Sequence, residues 1–243
     1  MHTAPLTTRP AKDPTAFFDD LAQTLTARRD ALTQKAVLSE GAHPLTRLEL
    51  IEWLQFRFWY LQEEGRFIDS WLSDAPNTEW LASLGALMAE RERQSRKLQD
   101  QLETLGTTTA TWSPESEWGH WVSEFHAGID DTPERVIAYA LGREPAPMES
   151  LEKRMPDAFA KLTTTSSPAS ARSQRSMALG LRTARGYATT PERQARTRAR
   201  VMHAFELEQK ARLAFSRRIR SIRALAAAND TVEDAPKAGA GND

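Results

Sequence analysis

The sequence contains no cysteine. Disulfide frameworks, thiolate-held zinc, iron–sulfur clusters and thiol nucleophiles are therefore excluded. No apolar run approaches the roughly 20 residues that a membrane-spanning helix requires. Met1 to Lys12 carry no apolar stretch behind their basic residues, so no secretory signal is expected there. No segment alternates β-branched residues with the period of a strand. Phosphate-binding loops, a dinucleotide fingerprint, a Gly-x-Ser-x-Gly elbow and a His-Glu-x-x-His pair are all missing. Charge of one sign is missing too: 32 Lys and Arg face 33 Asp and Glu in 243 residues. A strongly basic or acidic chain is excluded, though a charged patch is not. The expectation is a soluble, cytoplasmic protein with one domain.

What the sequence does hold is helix punctuation. Asp13-Pro14, Ser113-Pro114-Glu115, Thr132-Pro133-Glu134 and Thr190-Pro191-Glu192 each set a capping oxygen before a proline. Proline loses nothing at the first helical position, where its missing N–H would have no partner. The acid that follows in three cases suits the positive end of the helix dipole. These signals predict an all-α chain, a single compact bundle of about seven to eight helices. They are expected near residues 15–39, 46–73, 79–105, 114–128, 133–142, 147–162, 171–187 and 191–228. Residues 1–13 and 229–243, with little that could pack, are expected to be disordered on either side of a domain covering 14–228.

The second helix is the most apolar. Leu50, Trp53, Leu54, Phe58, Leu61, Phe67, Ile68 and Trp71 recur at helical spacing, with Phe56, Trp59 and Tyr60 widening the face. A helix so broadly apolar belongs at the centre, covered on several sides. Arg57, Gln62, Glu63 and Glu64 interrupt or border its aromatic run. A buried arginine needs a partner, either an internal acid or an anionic ligand.

Charge is unevenly spread. Between Arg172 and Arg223 there are 13 arginines and one lysine against Glu192, Glu206 and Glu208, while the remainder of the chain is acidic. Basic helices packed against acidic ones would account for this, as would an anion-binding pocket. Nucleic acid is not expected as a partner, because aromatics are not interleaved with these arginines.

Histidine and glutamate supply the remaining chemistry. His43 precedes a proline at a helix–helix turn and reads as a turn residue or a substrate-facing imidazole. His203 shares a helix face with Glu206. Glu117 and His120 form one Glu-x-x-His, a weak metal motif, since a di-iron bundle needs two copies and two further glutamates.

His43-Pro44-Leu45 followed by Trp53-Leu54-Gln55-Phe56-Arg57-Phe58-Trp59-Tyr60 resembles the pyrroloquinoline-quinone synthase (PqqC) and TenA group of the haem-oxygenase-like superfamily. Gly180-Leu181-Arg182 and Thr189-Thr190 before a long last helix resemble the same group. So does Leu98-Gln99-Asp100-Gln101-Leu102-Glu103-Thr104-Leu105-Gly106. The likeness spans about residues 15–225. It implies a helical bundle with a central pocket, a homodimer, and an oxidoreductase acting on a small anionic metabolite in secondary or cofactor metabolism. Arg57 and Arg182 would clamp its carboxylates; His203 is a further substrate-binding candidate. His43 and Tyr60 would orient it or move protons, and Glu64 would serve as an acid/base group. No cofactor is required; non-haem iron is the alternative, with Glu64, Glu117 and His120 as its weak candidates. The chain departs from the pattern where the group has histidines, now Leu179 and Glu90, and where its glutamine is Leu61 beside Gln62. Arg91-Glu92-Arg93-Gln94 replaces the Glu-x-x-His of the di-iron branch. Lost imidazoles remove proton paths, so a non-catalytic relative that binds a ligand or partner is the rival expectation.

Overall fold

The computed structural model describes residues 11–34, 46–108, 112–126, 132–142 and 169–233. Those residues form α1 (Pro14–Gln34), α2 (Arg47–Ser73), α3 (Thr78–Thr104), α4 (Ser116–Ser123), α5 (Thr132–Gly142), α6 (Ala169–Tyr187) and α7 (Pro191–Glu233), with no strand among them. The helix expected near 147–162 lies outside the described residues. No helix among those described is long and apolar enough to cross a membrane.

Local chemistry sets the helix ends. Proline stands first in α1 and α7, as its missing N–H allows. Thr46 caps α2: its hydroxyl accepts from the Glu49 amide, and the Glu49 carboxylate accepts from the Thr46 amide at 2.8 Å. A reciprocal cap of this kind contributes about 1 kcal/mol. The Asn77 side chain accepts from the Trp80 amide at 2.9 Å to start α3. That helix ends at Gly106, whose φ of 69° places it in the left-handed region. There the Thr107 and Gly106 amides bond back to the Leu102 and Glu103 carbonyls.

Several expected boundaries move, among them the end of the fourth helix, which falls at Ser123 where 128 was expected. The first turn of the fourth helix begins at Ser116 instead of 114, with Glu115 as a cap whose side chain makes no capping hydrogen bond. The last helix continues through residues 229–233, expected to be a loose tail. Residues 11–13 belong to the ordered body: the Lys12 amide donates to the Gln194 side chain at 3.0 Å, and its carbonyl accepts from the same amide group.

The helices α2 and α3 form an antiparallel hairpin through the turn at 74–77. The innermost element is α5, in which every residue but Pro133 is buried. It is wrapped by α1, α6 and α7. Small residues permit that approach: a Cβ added to Gly180 of α6 would overlap the Cβ of Ala140, and one on Gly142 would lie 3.3 Å from Ala204 of α7. The forty-three residues of α7 span about 65 Å at 1.5 Å per residue. Val201, Ala204, Phe205, Ala211 and Phe215 from this helix enter the core.

Candidate functional site

The aromatic run of α2 meets α4 in one continuous cluster. The Tyr60 ring stacks on Trp121 at 5.2 Å and meets Trp118 edge-on at 5.8 Å. Phe56 lies 4.8 Å from Trp118 and 4.5 Å from Phe215 of α7. Phe67 continues the cluster to Phe125 and Tyr139, at 5.2 and 5.5 Å. Arg57 and Tyr60, three residues apart on α2, are each only 5% exposed. The sequence-predicted Tyr60 is therefore a core ring, stacked on the Trp121 indole and meeting Trp118 edge-on.

Glu64, on the same helix, is wholly enclosed. Its Oε2 lies 2.6 Å from the Arg91 Nε of α3. The Tyr139 hydroxyl of α5 donates to Glu64 Oε1 at 3.0 Å, and Arg91 Nη2 donates to that hydroxyl at 3.0 Å. Three helices thus meet at a closed triangle of acid, guanidinium and phenol. Neither Arg91 nor Tyr139 stands out in the sequence. The one signal available was the tyrosine itself, since a hydroxyl in the middle of the apolar run Val136-Ile137-Ala138-Tyr139-Ala140-Leu141 has to find a partner. The neighbouring Glu90 is also buried and accepts from Gln94 at 2.5 Å and from Arg93.

Other candidates lie at the surface. Arg182 does not share an interior chamber with Arg57: its side chain is 41% exposed and pairs with Glu79 of α3. His203 is 57% exposed, and its Nε2 faces Glu124 at 3.7 Å instead of Glu206, which pairs with Arg28 at 3.2 Å. Glu117 pairs with Arg217 at 3.3 Å, and His120 is exposed. The Glu-x-x-His spacing is occupied by an ion pair to α7. No group of three or more His, Asp or Glu side chains able to hold a metal occurs among the described residues. His43 lies outside them.

The cationic C-terminal helix is matched to acids from four other helices. Arg198 pairs with Asp20 of α1, and Arg223 and Arg218 reach Glu49 and Glu52 of α2, both at 2.7 Å. Arg200 holds Glu124 at the end of α4 at 2.7 Å, and Arg196 holds Glu134 of α5 at 3.0 Å. Of the readings left open by the charge pattern, internal complementarity is the arrangement found. It shifts titrations. Hydrogen bonds from Arg198 and Lys12 lower the Asp20 carboxyl. Burial, then Glu134, raises the Tyr187 phenol, which donates to Glu134 at 2.5 Å. Burial likewise raises Glu115 above the usual carboxylate range.

No protein-family model, curated protein or solved structure matches the chain.

Proposed function

We propose that this chain is a non-catalytic binding relative of the haem-oxygenase-like bundles, taking up a small carboxylate-bearing molecule. The observation that carries the reading is the Glu64–Arg91–Tyr139 triangle. The acid best placed for proton transfer on α2 is tied to an internal cation and an internal phenol. A general base has to reach the proton it removes, and that carboxylate is committed to its neighbours. Arg182 and His203 are likewise engaged in surface pairs. Binding needs fewer groups than turnover does, and Arg57, one of several buried arginines, stands where the resemblance places a carboxylate contact.

A second reading has its own observation. Arg57 and Tyr60 sit a turn apart, both buried, at the positions where the resemblance places substrate contacts. That supports an oxidoreductase of secondary or cofactor metabolism acting on a small anionic metabolite, with a homodimer implied by the resemblance alone.

One experiment separates the two. Purified protein is titrated under air with aromatic and aliphatic dicarboxylates while its melting temperature and dissolved oxygen are followed. The binding reading expects a rise in melting temperature without oxygen uptake. A ligand at a hundred times its Kd adds about 2.7 kcal/mol to stability. Oxygen consumption with ligand conversion would establish the oxidoreductase instead. No stabilisation by any carboxylate, in wild type and Arg57→Lys alike, would overturn both.

A further inference from the structure

Among the described residues, α3 packs along α2 and touches α6, and its outer face is left to solvent. Between Glu79 and Glu92 that face carries no charge. Glu90 and Arg91, the charged residues of this interval, are turned into the protein. Leu81, Ala82, Ala86 and Ala89 are exposed instead, Leu81 at 49%. A Cβ added to Gly85 would meet nothing within 4 Å, so the ground between them is open. Helix propensity accounts for the alanines, but not for the order of charge around them. Before the apolar interval, residues 74–79 carry Asp74 and Glu79 and no base. After it, residues 92–97 carry Arg93, Arg96 and Lys97 against Glu92 alone.

We propose that this face of α3 is where a second copy of the chain docks, the two helices lying antiparallel about a two-fold axis at Ala86. Glu79, Ala82, Ala86, Ala89 and Arg93 are spaced three and four apart, so they form one seam along the helix. Turned end for end, the seam complements itself. Ala86 meets its own counterpart, Ala82 of one chain lies beside Ala89 of the other, and Glu79 lies opposite Arg93 in both halves. A parallel pairing would instead set acid on acid and base on base. A two-fold contact repeats each of these pairs twice. Arg182 shares Glu79, and Glu90 shares Arg93, within one chain. Glu79 and Arg93 nevertheless stay 65% and 64% exposed, free to take a second partner. Small residues along the seam let the two axes approach to about 8 Å, with Leu81 at the flank. Residues 80–91 span about 18 Å of helix. A contact of that size is small, so the association is weak and reversible. It follows from α3 alone and does not depend on what Arg57 binds.

Sedimentation of the full chain at up to about 300 µM tests this, and a monomer–dimer equilibrium with a Kd of about 10–100 µM is expected. Ala86→Arg sets two guanidinium groups against each other on the axis and is expected to weaken the dimer at least about tenfold. Because the chain has no cysteine, single cysteine variants report the register. Under mild oxidation A86C is expected to form a disulfide-linked dimer by itself, and A82C to link to A89C more readily than to itself. L213C, at an exposed position of α7, is the control. Wild type that stays monomeric throughout would overturn the proposal and leave the face to a different protein. A dimer that A86R leaves intact would overturn it too, as would L213C linking as fast as A86C. Preferential linking of A82C to itself would overturn the antiparallel arrangement. Wild type and the cysteine variants decide the matter if A86R does not fold.

Discussion

The Nε of Arg91 lies 2.6 Å from Oε2 of Glu64, on a different helix, where neither side chain meets solvent. Removing one member takes from the other, a buried charge, its opposite charge at 2.6 Å. Arg91→Leu is therefore expected to lower the unfolding free energy by about 3–5 kcal/mol in urea titrations. The variant E64L/R91L/Y139F removes every polar group of the triangle together and is expected to recover most of that loss. A single Arg91→Leu chain as stable as wild type would show that the triangle does not hold α2, α3 and α5 together.

Gly180 faces Ala140 at a distance that leaves no room for a methyl group. Gly180→Ala is expected to cost about 1–3 kcal/mol through overpacking, despite the better helix propensity of alanine. The double variant G180A/A140G moves the methyl group from one helix to the other and should restore stability. Thermal melts of the four chains in the cycle give the coupling directly.

Glu115 titrates above the usual carboxylate range because burial disfavours its charge. Its proton is held more firmly in the folded chain than in the unfolded one. The stabilisation this gives is complete below the ordinary carboxyl pKa and is lost as pH rises through the raised folded value. Glu115→Gln keeps the neutral form at every pH. Its urea midpoint is expected to exceed that of wild type at pH 7 and to converge with it near pH 4. A variant weaker than wild type at neutral pH would mean that the pairing with Arg218 outweighs burial.

Most arginines of α7 pair with acids of the same molecule. Wild type is expected to pass through heparin at about 0.15 M salt, because few of its cations are left to displace counterions from a polyanion. In E52Q/E117Q/E124Q the partner of Arg217, one of the two acidic partners of Arg218 and one partner of Arg200 are neutral. That chain should be retained and should elute steeply with salt. Firm retention of wild type would restore a nucleic-acid surface as a candidate.

Much of the architecture is readable from single residues. Proline after a capping oxygen marks the start of α1 and α7, and Gly106 marks the end of α3, because these effects are local and need no tertiary context. The extra residues of α7 past 228 show the converse. A polar, weakly apolar stretch gives no packing signal, yet a helix already nucleated propagates cheaply. The candidate site was harder to read. Arg57 and Tyr60 lie on a stripe whose apolar neighbours announce burial. Arg182 lies three residues past the buried Leu179 and one before the buried Thr183, so a small rotation of α6 decides whether it faces in or out. The pairing of Glu64 with Arg91 and Tyr139 joins three helices, and no spacing in the sequence encodes which faces of separate helices meet.

The last helix brings both a share of the hydrophobic core and most of the positive charge that balances the acids of α1, α2, α4 and α5. During synthesis those acidic helices leave the ribosome before their counterpart exists. The α2–α3 hairpin can close at once through contacts local in sequence. The buried helix α5 has no complete shelter until residues 191–215 emerge. A nascent chain paused before that point is an anionic, partly uncovered intermediate with an aromatic seam exposed, the kind of species that chaperones hold. Completion of the fold thus waits until α7 has been translated.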